Sequence, residues 1–180
     1  IGQQRLISSF LWVETMLKAD TEHYTKNQGN SWLYHRFNSI ITLDPFFYEA
    51  YLYGGQYLSI IKDEPQSAEI LLDKGIKQFP KDFSLRLFKA YNSLFELEDK
   101  REAKKHYQIL VQHPKSNESP IVYSIYAGLL EKSGKKKKAI EILRHLYDSL
   151  PDSSYKEALK DKIKKKKKLL DEIPPTTNGQ

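Results

Sequence analysis

Prolines recur at nearly constant intervals along this chain. Pro45, Pro80, Pro114 and Pro151 are separated by 35, 34 and 37 residues, and each follows a segment with apolar residues at helical spacing. Proline ends an α-helix because it lacks the backbone N–H that the next turn needs. A period near 34 residues is typical of a helix–turn–helix unit that buries its apolar face only against a neighbouring copy. A row of helix pairs is therefore predicted.

The segment between Pro120 and Pro151 contains this unit in full. Its first half places residues three and four apart, on one face of a helix: Tyr123, Tyr126, Ala127 and Leu130. Ser133 and Gly134 are expected to end that helix. A second stripe with the same spacing precedes the next proline: Ala139, Leu143 and Leu146. Two helices joined by a short turn are predicted, and their small alanines allow close packing.

This order of residues resembles the tetratricopeptide repeat, with its aromatic, small and large apolar positions, Gly in the turn and a terminal Pro. The central alanine recurs as Ala68 and Ala103, and the small residue of the first helix recurs as Gly55 and Ala90. Those two repeats run one residue longer before their alanine. The resemblance implies an all-α fold, namely a right-handed superhelical array of antiparallel helix pairs with a C-terminal capping helix.

The predicted array occupies residues 1–173 as a single domain. A helix from Arg5 to about Tyr24 and a second helix capped by Ser31 form a degenerate first repeat, separated by a turn at 26–30. A polar-backed terminal helix is expected because an array must cover its last apolar face. The predicted segments are a degenerate repeat at 5–45, repeats at 46–80, 81–115 and 119–151, a capping helix at 153–173 and a flexible tail at 174–180.

Composition excludes several classes of protein. With 39% hydrophobic residues the chain can build a packed core, and without cysteine it can form neither a disulfide framework nor a thiolate metal site. No run reaches the roughly 18 apolar residues that a membrane-spanning helix needs. The net charge of +6 arises in the second half, where 19 Lys and Arg face 13 Asp and Glu, whereas residues 1–90 hold ten of each.

No catalytic or cofactor-binding pattern is found in the sequence. The histidines do not form an HExxH motif or pair with carboxylates at metal-ligand spacing: His23, His35, His106, His113 and His145. Gly54 and Gly55 lack the spacing and the following Lys-Ser/Thr of a phosphate-binding loop. A non-catalytic protein without metal or cofactor is therefore predicted.

The resemblance implies that the first helices of successive repeats line a concave groove that binds another protein. The matching positions are Glu49, Leu52, Tyr53, Gln56, Ser84, Leu87, Phe88, Tyr91, Ser124 and Gly128. They lack the Lys, Arg and Asn set with which some family members hold a C-terminal carboxylate. A peptide or helix with an apolar or mixed surface is the expected partner. Tyr53, Phe88 and Tyr91 either contact that partner or belong to the core.

Two lysine runs form a predicted basic patch: Lys135, Lys136, Lys137, Lys138, Lys164, Lys165, Lys166, Lys167 and Lys168. They are interpreted first as a solvated turn and cap. The alternative is a basic adaptor that docks on anionic lipid or nucleic acid. Nucleic acid is the less favoured partner because no aromatic residues are interleaved with the lysines.

A narrower resemblance lies in the first half. Its motifs resemble those of small bacterial repeat proteins with an N-terminal hydrophobic anchor: Phe10-Leu11-Trp12, Trp32-Leu33-Tyr34-His35 and the run at 43–51. This implies a scaffold in a bacterial envelope complex, held at the inner membrane by a removed anchor, with the domain in the periplasm. Ile1 in place of Met agrees, and a cytoplasmic location is the alternative. The apolar first helix, with Phe10, Trp12 and Met16, either packs inside the array or pairs with a second copy.

Overall fold

The computed structural model describes residues 2–19 and 31–171. Within these ranges the chain forms nine α-helices and no strand: α1 Gly2–Lys18, α2 Trp32–Leu43, α3 Tyr48–Gln56, α4 Pro65–Gln78, α5 Phe83–Tyr91, α6 Lys100–Leu110, α7 Pro120–Lys132, α8 Lys136–Ser149 and α9 Ser154–Asp171. The predicted turn at 26–30 and the predicted tail at 174–180 lie outside the described residues.

The chain divides into two compact units, residues 1–106 and residues 107–180, and the boundary falls within α6. In the first unit α1 packs on α2, α3 packs on α4, and α4 packs on α5. In the second unit α8 packs between α7 and α9. Each unit is therefore built from consecutive helices in contact, which is the local arrangement of a helical repeat.

Close contact explains the adjacent glycines of α3. A Cβ atom on Gly54 would lie 3.0 Å from a ring carbon of Phe37, and one on Gly55 would lie 2.9 Å from Leu72. Phe37 and Leu72 are fully buried on α2 and α4. The cost of glycine in a helix, about 1 kcal/mol each, is thus offset by packing against both neighbouring helices.

The additional residue of repeats 46–80 and 81–115 forms a π-helical turn. Tyr57–Ile61 continues α3 and Asn92–Glu96 continues α5, each with backbone bonds that reach five residues back, such as Lys62 N–H to the Tyr57 carbonyl at 3.1 Å. Each turn leads into a left-handed residue, Asp63 or Glu98, both with φ of 54°. We call these two segments the π-turns.

Repeat 119–151 has one residue fewer between its two small residues, Ala127 and Ala139, and its helices are joined by a different turn. Its first helix, α7, ends at Lys132, and the left-handed position is taken by Gly134 with φ of 78°. Its extra length lies before α7 instead, because Ala103 and Ala127 are 24 residues apart whereas Ala68 and Ala90 are 22 apart. The linker there folds as a 3-10 helix, Pro114–Glu118.

Helix α1 exposes much of its apolar surface. It is described from Gly2 to Lys18, and its predicted end near Tyr24 lies outside the described residues. Trp12 and Met16 pack against the core of the first unit, whereas Phe10 is 69% exposed. Phe10 belongs to a stripe of exposed side chains on one side of the helix, which we call the α1 stripe: Leu6, Ile7, Phe10, Val13 and Leu17. The small polar residues Ser8 and Thr15 are buried instead.

The second unit follows the predicted pattern closely. The two stripes of α7 and α8 are buried against each other, with Tyr123, Tyr126 and Leu143 among the largest buried side chains. Helix α9 covers them through Leu159 and Ile163, whereas Tyr155 and Leu169 remain exposed. The predicted capping helix at 153–173 therefore corresponds to α9 within the described residues.

Candidate functional site

The predicted groove positions of the first unit differ widely in exposure. Tyr53 on α3 is 52% exposed and Tyr91 on α5 is 36% exposed, but Phe88 is 9% exposed and Leu52 is buried. The remaining four are Glu49 and Ser84, which are exposed, and Gln56 and Leu87, which are half-buried. Tyr53 and Tyr91 are therefore accessible to a partner, whereas Phe88 belongs to the core.

Three aromatic rings follow one another along α5 and its π-turn, the first two stacked and the last two tilted by 42°. The ring centroids of Phe88 and Tyr91 are 5.6 Å apart with planes 18° from parallel, and those of Tyr91 and Phe95 are 4.9 Å apart. Phe95 is 52% exposed. We call Phe88, Tyr91 and Phe95 the aromatic ladder. Aromatic rings packed against one another lose little conformational freedom on binding and offer large apolar area, which favours protein recognition.

Sequence reasoning missed Phe95 as a member of this surface. It follows Tyr91 by four residues, a spacing that was the available signal, but it lies beyond the predicted groove positions. The π-turn changes the direction of side chains at the end of α5. As a result Phe95 in one π-turn and Ile60 in the corresponding place of the other are both more than half exposed.

A hydrogen-bond relay fixes the start of α5 relative to α3. The hydroxyl of Tyr48 donates to Oδ1 of Asp82 at 3.1 Å, and the same oxygen accepts the backbone N–H of Leu85 at 2.7 Å. Burial and the Asp82 carboxylate raise the pKa of Tyr48 to about 12. The phenol stays protonated at neutral pH, so it can act as a donor to the N-cap of α5.

A buried lysine anchors α5 on its other side. Lys89 is 2% exposed, and its Nζ lies 2.5 Å from Glu69 and 2.8 Å from Asp73, both on α4. Asn92, the first residue of the π-turn, donates to the Glu69 carboxylate at 2.7 Å. These contacts fix α5, which carries the aromatic ladder, against α4.

His106 lies beside this ion cluster. Its Nδ1 accepts from Arg86 at 3.5 Å, and its Nε2 is 3.4 Å from Glu102 without the geometry of a hydrogen bond. Burial, with a further contribution from the Lys89 charge, lowers the pKa of His106. The imidazole is thus neutral at neutral pH.

The groove positions of the second unit carry little functional chemistry. Ser124 and Gly128 on α7 are half-buried. The hydroxyl of Ser124 is 3.5 Å from that of Tyr155 on α9, and a Cβ on Gly128 would meet no atom within 4 Å. In this unit Gly128 therefore borders open space, whereas Ser124 is close to α9.

The two lysine runs lie at the same end of the second unit. Lys135, Lys136, Lys137 and Lys138 are exposed at the start of α8, and so are Lys164, Lys165, Lys167 and Lys168 near the end of α9. Lys166 is half-buried and forms an ion pair with Glu131 at the end of α7. This pair brings α9 to the turn that carries the first run. We call the nine lysines the basic end.

A cleft of about 540 Å³ opens beside α7 in the second unit. Its lining includes Gln108 of α6, Gln112 in the turn after α6, and Lys138, Glu141 and His145 of α8. Tyr123 and Tyr126 of α7 also line it. None of these positions except Lys138 was singled out from the sequence as a site residue, because they come from separate segments with no shared motif.

Nothing in the described parts of the chain points to a catalytic metal centre or a membrane span. No cluster of three or more His, Asp or Glu side chains in those parts could hold a metal ion. None of the helices in residues 2–19 and 31–171 combines the length and the apolar character that crossing a bilayer requires.

Comparison with known proteins supports the fold. No protein-family model matches the sequence, and no curated protein is similar to it by sequence. Among solved structures, the chain is similar to the crystal structure of MamA protein, which contains tetratricopeptide repeats, with a TM-score of 0.56 and 17% identity over 93% of this chain and 90% of that one. The predicted all-α, tetratricopeptide-like fold class is thereby confirmed.

Proposed function

We propose that the chain is a non-catalytic scaffold that binds a peptide or helix of another protein through the exposed aromatic residues of its first unit. The observation that carries this proposal is the aromatic ladder, whose outer rings are accessible while Phe88 and Lys89 hold them in place. A repeat fold similar to that of MamA supports a protein-binding role in general.

The surface around the ladder favours an apolar or mixed partner. Tyr53 and Tyr91 each combine an exposed ring with a hydroxyl, and Phe95 and Ile60 add purely apolar area. Rings of this kind are typical of binding hot spots. An amphipathic helix or a short segment with two or three apolar anchors matches this composition.

Selection from a displayed library of random 16-residue peptides tests the proposal. Tyr91→Ala combined with Phe95→Ala should abolish binding of the enriched peptides without changing helicity by circular dichroism. Ile109→Ala provides a matched control, because Ile109 is an exposed apolar side chain outside the ladder. Enriched peptides that bind the double variant as well as the parent chain would refute the ladder as the binding surface.

The basic end supports a second function, docking on anionic lipid headgroups. The ion pair between Lys166 and Glu131 gathers the two runs, and eight of the nine lysines stay exposed. About 1 kcal/mol per lysine near an anionic surface would then accumulate. Sedimentation with vesicles of phosphatidylserine and phosphatidylcholine should show binding that disappears at high salt. Equal binding to vesicles of phosphatidylcholine alone would exclude it, and duplex DNA in the same assay tests the less favoured partner.

The α1 stripe is proposed as a surface for pairing with a second copy. Its five side chains, at roughly 100 Å² each, would bury about 1,000 Å² in a symmetric pair, near the lower limit for a specific interface. Sedimentation equilibrium should give a dimer for the parent chain and a monomer for Phe10→Glu. Gln4→Glu, at an exposed position of α1 away from the centre of the stripe, should leave the dimer intact. A monomeric parent chain would refute the pairing.

We also propose that the scaffold acts in a bacterial envelope, at the inner membrane with its domain in the periplasm. The support for this is the resemblance of the first-half motifs to those of anchored bacterial repeat proteins. Cell fractionation of the source organism with an antibody to the chain tests it. Recovery in the cytoplasmic fraction alone would contradict it.

A further inference from the structure

The cleft of the second unit has the size and walls of a ligand site. Its volume of about 540 Å³ lies within the usual range for binding pockets, roughly 300–1,000 Å³. Helix α8 contributes Lys138, Glu141, Ile142 and His145, which recur at helical spacing. They form a separate stripe from the buried residues of α8 that pack on α7. The cleft face of α8 is therefore not required by the core.

Tyr123, one of the residues that line the cleft, is held in place by its neighbours. The hydroxyl of Tyr123 donates to Oδ1 of Asn117 at 3.1 Å and shares a hydrogen bond of 2.7 Å with buried Ser116. The Tyr123 ring stacks on His145 with planes 18° from parallel. Ser116 and Asn117 belong to the 3-10 helix of the longer linker. The additional linker residues thus build one end of the cleft, and the tyrosine is fixed before any ligand arrives.

Two opposite charges that line the cleft form no ion pair in the described parts of the second unit. Lys138 and Glu141 are both exposed, and neither forms an ion pair with another residue in the described parts of the second unit. Residues three apart on a helix have Cβ atoms about 5–6 Å apart. Side chains two apart on an extended chain are separated by about 6.6 Å. The two charges therefore match an extended segment whose opposite charges are two residues apart.

We propose that this cleft binds an extended peptide segment with an acidic and a basic side chain two residues apart. The acidic side chain pairs with Lys138 and the basic one with Glu141. Gln108 of α6 and Gln112, just after its end, also line the cleft and offer amide donors and acceptors to the peptide backbone. The site lies entirely in the second unit, so this proposal stands independently of the aromatic ladder.

Titration with three synthetic peptides, capped at both ends and labelled for fluorescence anisotropy, tests the proposal. Their central residues are Glu-Ala-Lys, Lys-Ala-Glu and Gln-Ala-Gln. One charged order should bind about tenfold more tightly than the neutral peptide, because two partly exposed ion pairs contribute modestly. The double variant Lys138→Glu with Glu141→Lys should prefer the other order, since it reverses the two charges and leaves the net charge unchanged.

Control variants separate the cleft from the rest of the surface. Arg144→Asp with Asp148→Arg exchanges two exposed charges on α8 outside the cleft and should leave the peptide preference unchanged. Ile142→Trp should fill the cleft and abolish binding, whereas Arg144→Trp should not. Binding should also survive Tyr91→Ala in the first unit, so that failure of the ladder proposal is distinguishable.

Three outcomes would overturn the proposal. The first is equal affinity for all three peptides. The second is a preference for the same order in the charge-exchanged variant. The third is unchanged binding by Ile142→Trp, which would place the peptide elsewhere on the chain.

Discussion

The repeats at 46–80 and 81–115 differ from the repeat at 119–151 in where they hold their extra residues. The first two place one residue inside the first helix, as a π-turn that ends in a left-handed Asp63 or Glu98. The third keeps a regular helix ending before Gly134 and extends the preceding linker instead. Additional length inside a helix redirects exposed side chains, whereas additional length in a linker builds the end of a cleft.

The largest expected effect comes from the buried lysine of repeat 81–115. Lys89→Met should lower the free energy of unfolding by about 3 kcal/mol, because it leaves the Glu69 carboxylate without its cation. Tyr126 is the corresponding residue of repeat 119–151, one before the small alanine. Tyr126→Phe should cost less than about 1 kcal/mol. Urea denaturation of both variants measures the two losses in unfolding free energy. Similar losses would contradict the expected difference between the two repeats.

A smaller loss is expected at the tight contact of α3. Gly55→Ala should destabilise by about 2 kcal/mol, because the new Cβ would lie 2.9 Å from Leu72. Gly128→Ala on α7 meets open space and should instead stabilise by up to about 1 kcal/mol. Thermal unfolding followed by circular dichroism measures both. A stabilising Gly55→Ala would show that α3 and α4 can separate without cost.

The left-handed turn residues should respond in opposite directions. Glu98→Gly relieves a strained conformation and should stabilise by about 0.5–1 kcal/mol after the entropy of glycine is counted. Gly134→Ala should destabilise by a similar amount. Glu98→Ala keeps the strain and serves as the control in the same denaturation series. Equal stability of Glu98→Gly and Glu98→Ala would contradict the assignment of strain.

The smallest effect is a pH dependence that His106 confers on repeat 81–115 and that repeat 46–80, which has no histidine, should lack. Burial first, and then Lys89 and Arg86, lower the pKa of His106, whereas Glu102 and Glu69 act in the opposite direction. The unfolded chain therefore binds more protons than the folded one, so stability is present above the unfolded pKa near 6.5 and is lost as pH falls. His106→Gln should flatten the decline in unfolding free energy between pH 7.5 and 5. If the decline is the same in the variant, titratable groups other than His106 cause it.

The fold was predictable because the repeat signal is carried by side chains that are buried. The stripes at Tyr123, Tyr126 and Leu143 were identified from spacing alone, and Ser31 accepts the backbone N–H of Tyr34 as the expected N-cap. The predicted end of the first helix at Tyr24 stays a prediction, because it lies outside the described residues. Apolar periodicity indicates a helix but does not fix its last turn.

The candidate surfaces were less predictable than the fold. Periodicity identifies a helix face but not its partner, so the sequence left Phe88 and Tyr91 with equal status, although one is buried and the other accessible. Phe95 required knowledge of the π-turn. The cleft depends on residues from α6, α7, α8 and a linker, and only their arrangement in three dimensions brings them together. The groove and lysine assignments stay predictions until a partner is measured.

The two π-turns occupy equivalent places in successive repeats. Tyr57–Ile61 and Asn92–Glu96 are 35 residues apart, and so are Asp63 and Glu98, Gly55 and Ala90, and Ala68 and Ala103. One insertion followed by duplication of a 35-residue module explains this coincidence with fewer events than two separate insertions. The copied unit would then be 35 residues long and would include the π-turn. A chain lengthened by one more copy of 46–80 would inherit another outward-facing residue at the place of Ile60 and Phe95.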